Sequence, residues 1–185
     1  LLERFTVMIK EGVKPMPFTM NLWKVDHNGL KELPKSRLDS EERLEEWIAH
    51  DSNITGLDIL LIGRQVVTFY GGRIDLLGMD SEGNLVILEL KKDKTPRDVV
   101  AQTLDYASWI KDLTYKQIEA ITMNYLKCSL KDAFTDKFLA DIPEEINKNH
   151  SIVIIASELD SSSERIVHYL SSEFDMNINC IFFFK

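Results

Sequence analysis

Two acids stand where the hydrophobic pattern of neighbouring strand candidates asks for apolar side chains. They are Asp75 and Glu89, within the stretch GGRIDLLGMDSEGNLVILELK that runs from Gly71 to Lys91. Arg73–Met79 and Leu85–Lys91 predict an antiparallel pair around the turn Asp80-Ser81-Glu82-Gly83-Asn84. With Met79 facing Leu85 across that loop, Asp75 lies opposite Glu89 and Arg73 opposite Lys91. Opposed residues hold their Cβ atoms ~5 Å apart, close enough for like charges to repel. Apolar strands screen that repulsion poorly, so one acid keeps its proton or a cation sits between them. A divalent metal is the simpler answer. Parity decides the case, because a loop of even length would put the acids on opposite faces. Lys91 shares a strand face with Glu89, so its ammonium could orient a water or stabilise charge on a phosphate.

The elements that must position these groups are legible around them. Residues 1–35 read as an N-terminal β-hairpin extension, with Leu22–Val25 and Leu30–Leu33 flanking an Asn28-Gly29 turn signal. Residues 36–185 read as the main domain. Ser40 caps a helix Glu41–His50, although Arg43 spoils a full capping box, and Leu44, Trp47 and Ile48 form its apolar stripe. Ile59–Ile62 and Val66–Tyr70 are strand-like. Thr95-Pro96-Arg97-Asp98 predicts a helix start, with Val100, Leu104 and Ala107 facing the core. Thr114-Tyr115-Lys116-Gln117 opens another helix by a capping box, and a third covers about Leu130–Leu139 before Pro143. Strand Ser151–Ala156, helix Ser161–Phe174 and strand Ile178–Phe184 close the chain as a β-α-β unit. The fold class is α/β: a sandwich with a central mixed β-sheet flanked by helices.

Composition narrows the function classes. A chain of 185 residues, 44% hydrophobic and 28% charged, suits one soluble domain with a substantial core and a small appendage. No apolar run reaches the length of a membrane span and no signal-peptide pattern opens the chain, so a cytoplasmic protein is expected. Cys128 and Cys180 are too few for a disulfide framework or a zinc site. The net charge of -8 argues against a surface that grips nucleic acid everywhere, while leaving room for a local basic patch. The start at Leu1 suggests a trimmed fragment, and the end inside an apolar run suggests a further C-terminal domain. His27, His50, His150 and His168 show no ligand spacing, and Trp23, Trp47 and Trp109 are expected in the core.

Gly72-Arg73-Ile74-Asp75-Leu76-Leu77-Gly78 with Val86-Ile87-Leu88-Glu89-Leu90-Lys91, then Gln102 and Tyr106, resembles the PD-(D/E)XK nuclease superfamily. The resemblance is to the NucS-type endonuclease domain and its uncharacterised relatives, and is strongest over Ser40–Trp109. Ile74 replaces the motif's proline before Asp75. It implies a restriction-endonuclease-like fold and a metal-dependent DNA endonuclease, one directed to single-stranded or branched DNA. Asp75 and Glu89 would hold Mg²⁺ or Mn²⁺ through hard oxygen ligands. The Leu90 carbonyl would complete the shell, and Glu45 matches the family's helix glutamate, as ligand or water-positioning group. Gln102 and Tyr106, on one helical face, would orient Lys91 or the scissile phosphate. Arg73, Lys92, Lys94 and Arg97 would contact backbone phosphates, and a homodimer is left open.

Plainer readings stand beside these. Asp75 and Lys91 could form a partly buried salt bridge with Glu89 solvated at a sheet edge. Glu45 sits among Glu41, Glu42 and Glu46 and could belong to a solvated face, and Tyr106 could be a satisfied core aromatic. The alternative function is a non-catalytic nucleic-acid- or protein-binding module that retains the nuclease fold.

Overall fold

The structure, a computed structural model, describes residues 23–26, 29–32, 40–95 and 97–183. Trp23–Asp26 (β1) pairs antiparallel with Gly29–Glu32 (β2), with Asp26 facing Gly29, so Gly29 belongs to the strand rather than to the turn expected at Asn28-Gly29. His27 and Asn28 lie outside the described residues. The main domain runs α1 (Glu41–His50), a 3-10 turn (Ser52–Thr55), β3 (Ile59–Val67), β4 (Arg73–Asp80) and β5 (Leu85–Thr95). It continues through α2 (Asp98–Ile110), α3 (Tyr115–Leu126), α4 (Leu130–Phe138), β6 (His150–Leu159), α5 (Ser161–Phe174) and β7 (Ile178–Phe182).

One sheet organises these elements in the order β3-β4-β5-β6-β7. The first two junctions are antiparallel hairpins and the last two are parallel, which makes the sheet mixed. Alternation along β5 sorts its side chains to two faces. Leu85 and Ile87 join one core with Val99, Val100, Tyr106 and Phe134. Val86, Leu88 and Leu90 join the other, beneath Leu44 and Ile48 of α1. Helices therefore cover both faces, and the α/β sandwich expected from the sequence is the fold observed.

The β4–β5 turn follows its sequence. Met79 pairs with Leu85, and the register continues through Gly78–Val86 and Leu77–Ile87 to Leu76–Leu88. Asp80 builds the loop, its Oδ1 accepting the Glu82 and Asn84 amides at 2.9 and 2.8 Å. The odd loop is real, but the ladder it sets ends at Leu76–Leu88, so the expected pairs Asp75–Glu89 and Arg73–Lys91 are not formed as strand partners.

Three local readings need correction. Helix α2 starts at Asp98 with Arg97 as its cap, because Thr95 is still in β5, paired with Leu159 of β6. Pro96 lies outside the described residues. The second strand candidate ends at Val67 rather than Tyr70, since Ile59–Val67 is one strand with a bulge between Leu61 and Gly63. Trp47 is 42% exposed, with the Arg43 guanidinium 4.7 Å from its ring centroid, and Glu45 takes the buried position beside Leu44 and Ile48. The other helix starts hold: Ser40 Oγ accepts the Arg43 amide at 3.1 Å, and Gln117 Oε1 accepts the Thr114 amide at 2.9 Å. No helix among the described residues is long and apolar enough to cross a membrane.

Candidate active site

The β4–β5 ladder stops at Leu76–Leu88, one step short of the two acids. There β5 parts from β4 and continues beside β6 alone, and it carries a register shift just past Lys91. Asp75 occupies the fork. Its Oδ2 accepts the Leu90 amide at 2.9 Å, so a side chain takes the hydrogen bond that strand pairing would otherwise supply. Asp75 is thereby pinned against the peptide that follows Glu89.

Glu89 is 1% exposed. Lys91 Nζ donates to its Oε1 at 2.6 Å, while Oε2 is buried without any hydrogen-bond partner. Burial first, then the charge of Asp75, pushes the Glu89 carboxyl up to about 7. Asp75 is also raised, chiefly by burial, against the pull of the Leu90 N–H. Burial works to lower the Lys91 ammonium, but the Glu89 hydrogen bond and the surrounding acids outweigh it and hold the value above normal. Two partly desolvated carboxyls and one ammonium therefore meet at the sheet fork. Of the plainer readings, a solvated Glu89 is excluded by its burial.

Glu45 is 6% exposed and is not part of a solvated face. Arg64 Nε donates to Glu45 Oε1 at 2.5 Å and Gln65 Nε2 donates to Oε2 at 2.6 Å. The same Gln65 amide reaches Asp75 Oδ1 at 3.2 Å, so one side chain bridges the helix acid and the strand acid. Gln65 adopts φ +52°, a left-handed conformation that a long side chain rarely takes without compensation. Arg64 and Gln65 are the residues that the sequence reading missed. Their signal was the one that exposed Asp75: polar side chains interrupting the apolar strand pattern Ile59–Val67. Glu41 also enters, its Oε1 accepting the Lys92 amide at 3.1 Å and tying α1 to β5.

Gln102 and Tyr106 meet each other, Nε2 to Oη at 2.7 Å. The Tyr106 hydroxyl also accepts the Arg73 amide at 3.3 Å, so the pair braces the start of β4 rather than bonding to Lys91. Tyr106 is a satisfied core aromatic at 3% exposure, and the brace is its visible role. Gly72 lies against that ring: a Cβ there would fall 2.6 Å from Tyr106 Cε1 and 3.1 Å from Thr68 Oγ1. Gly72→Ala is expected to push the ring off the Arg73 amide and lower stability by about 1–3 kcal/mol, measured by urea unfolding. Arg73 and Arg97 are exposed and Lys92 is half-buried, while the Lys94 side chain lies outside the described set.

A metal can be tested against these groups. Among the described residues no three His, Cys, Asp or Glu side chains gather closely enough to hold an ion. What the fork offers is the pair Asp75 and Glu89, with one buried carboxylate oxygen lacking any donor. That donor set fits Mg²⁺ or Mn²⁺, which bind through one or two carboxylates and leave other positions to water and phosphate. The residues present fit such an ion.

Residues 40–126 match the family described as the endonuclease NucS C-terminal domain. The match includes the whole fork and the Ser40–Trp109 stretch, so the NucS-type resemblance is shown over that segment. No curated protein matches the chain. Among solved structures, a repair endonuclease from Pyrococcus abyssi is 18% identical with a TM-score of 0.49, covering 80% of this chain and 48% of its own. An EndoMS–dsDNA complex is 17% identical with a TM-score of 0.48, covering 83% and 54%. EndoMS in apo form is 17% identical with a TM-score of 0.45, covering 85% and 55%. The chain thus spans about half the length of the structures it matches.

Proposed function

We propose, starting from a segment that matches the NucS nuclease domain, that this chain is a Mg²⁺- or Mn²⁺-dependent DNA endonuclease directed to single-stranded or branched DNA. One observation carries the reading: Glu89 Oε2 is buried and unpaired beside a second acid, where a stable fold gains nothing from a charge. Asp75 and Glu89 would hold the ion, with the Leu90 carbonyl beside them. When bound, such an ion polarises the scissile phosphate and makes a coordinated water more acidic.

The protein's own groups have separable tasks. Lys91 is held in the ammonium form in the metal-free protein, where it would donate hydrogen bonds and place positive charge near the phosphate. Glu45, neutralised by Arg64, acts through Gln65 to fix the direction of Asp75. Gln102 and Tyr106 hold the Arg73 backbone, and the exposed Arg73 and Arg97 guanidiniums would meet strand phosphates together with Lys92 and Lys94. Gln65→Leu leaves one oxygen of Glu45 and one of Asp75 without their amide donor. It is expected to slow turnover about 10-fold with KM little changed, read by steady-state cleavage kinetics.

The domain division at about residue 35, a homodimer and a cytoplasmic location belong to the same proposal. Cleavage of single-stranded, branched and duplex DNA, and of RNA, is measured with Mg²⁺ or Mn²⁺. Wild type is expected to cut DNA, with Asp75→Ala, Glu89→Ala and Lys91→Ala each slower by at least about 100-fold. Calorimetry should show a Mn²⁺ site that Asp75→Asn abolishes. Activity surviving all three alanine substitutions rejects the nuclease reading; no Mn²⁺ site and no cleavage favour a binding module.

A further inference from the structure

Five residues join β3 to β4, and two of them are the most conspicuous apolar exposure near the fork. Phe69 is 85% exposed and Tyr70 is 72% exposed, and Val67 beside them is 60% exposed. The two rings stand edge to face, 5.5 Å between centroids. A face of each is left open to solvent, which a folded domain seldom tolerates in adjacent aromatics without a use.

The turn that carries them is built rather than slack. Thr68 N–H donates to the Gly72 carbonyl at 2.8 Å, Gly71 N–H to the Thr68 carbonyl at 3.2 Å, and Gly72 N–H to Thr68 Oγ1 at 3.0 Å. Thr68 is 4% exposed, and Gly71 takes φ +87°, which lets the chain reverse sharply. The Tyr106 hydroxyl fixes the next residue through the Arg73 amide. With the turn closed beneath them, the rings cannot fold back into the core.

Position and charge identify the occupant. Gly72 immediately precedes β4 and is three residues from Asp75, so the turn lies ~10 Å from the acid fork. Thr68–Arg73 carries an exposed arginine and no acid, in a chain of net charge -8. An apolar, cationic spot beside a phosphodiester site on an acidic protein suits a polyanion with flat apolar faces. We infer that Phe69 and Tyr70 form an aromatic prong that stacks on unpaired nucleobases flanking the phosphate to be cut. The inference rests on the nuclease reading and adds to it a contact outside the fork. Duplex bases are already stacked, so the prong favours strands that are single or locally opened.

Binding of fluorescein-labelled oligonucleotides by anisotropy, in EDTA so that nothing is cut, tests it on the full chain. The strands are single-stranded DNA, the same backbone with abasic sites, and blunt duplex. Phe69→Ala/Tyr70→Ala is expected to weaken single-strand binding by about 10-fold or more, with duplex binding within about twofold of wild type. Wild type and the double variant should bind the abasic strand alike, and Phe69→Tyr/Tyr70→Phe should keep wild-type affinity. Circular dichroism and thermal melts confirm that these exposed positions leave the fold intact. Equal single-strand affinity in the double variant overturns the prong while leaving the nuclease reading standing. So does an equal loss on the abasic strand, or a change from dimer to monomer in sedimentation. Wild type that binds no nucleic acid at all removes both.

Discussion

Replacing Glu89 by glutamine is expected to stabilise the metal-free protein at pH 8 while slowing phosphodiester cleavage about 10³-fold. The loss of activity follows from removing a ligand charge on which several kcal/mol of phosphate polarisation depends. The gain in stability follows from burial. The Glu89 carboxyl is shifted from 4.5 to about 7 in the folded protein, so folding favours its neutral form. Below about 4.5 it is protonated in both states and makes no difference. As pH rises from about 4.5 to about 7, the unfolded chain ionises while the folded one keeps its proton, and stability falls. Above about 7 the deficit is constant, on the order of 3 kcal/mol, and the raised Asp75 carboxyl adds to it in the same direction. Glutamine never ionises and can still accept from Lys91. Urea unfolding of both proteins between pH 4 and 9 in EDTA would show their curves separating through that window. Added Mn²⁺ should restore stability to wild type alone. A glutamine variant less stable than wild type at pH 8 would make Glu89 an ordinary salt-bridge partner.

Local pattern was enough for the part of the site that depends on parity. Leu76–Met79 and Leu85–Leu88 are continuous apolar runs that suit either face, so the odd loop between them sets the register, with Met79 facing Leu85, and the structure adopts it. Asp75 and Glu89 interrupt those apolar segments, with Arg73 and Lys91 at their ends, so they stand out. Glu45 could not be separated from Glu41, Glu42 and Glu46 in the same way, because helical spacing puts two acids near the stripe edge. What selects it is a bridge from Gln65, distant in sequence and held in a left-handed conformation that no strand pattern announces. Long-range pairing also overrode a strong local signal. Thr95-Pro96 has the chemistry of a helix start, yet the parallel partner β6 keeps Thr95 in the strand and the helix begins later. Trp47 was misplaced for a related reason: hydrophobicity alone cannot reveal that Arg43 covers its ring at the surface while an acid takes the inner position.

Lys91→Met should produce the opposite pair of changes in stability and metal binding while also losing activity, by about 10²–10³-fold. Methionine keeps much of the apolar stem, so the packing of the half-buried side chain is largely retained. What disappears is the ammonium 2.6 Å from Glu89 Oε1, the one donor that carboxylate has among the described residues. The metal-free variant therefore loses stability, by about 1–3 kcal/mol, because a buried acid is left with no partner. The same loss removes a positive charge that competes with a divalent cation for Glu89, so Mn²⁺ affinity by calorimetry should equal or exceed that of wild type. Saturating Mn²⁺ then restores the fold without restoring the rate. A lysine that merely neutralises Glu89 predicts something different, since the metal could take over that task and cleavage would return. Near-wild-type turnover of Lys91→Met at saturating Mn²⁺ would remove Lys91 from the chemistry and leave Asp75 and Glu89 to act alone.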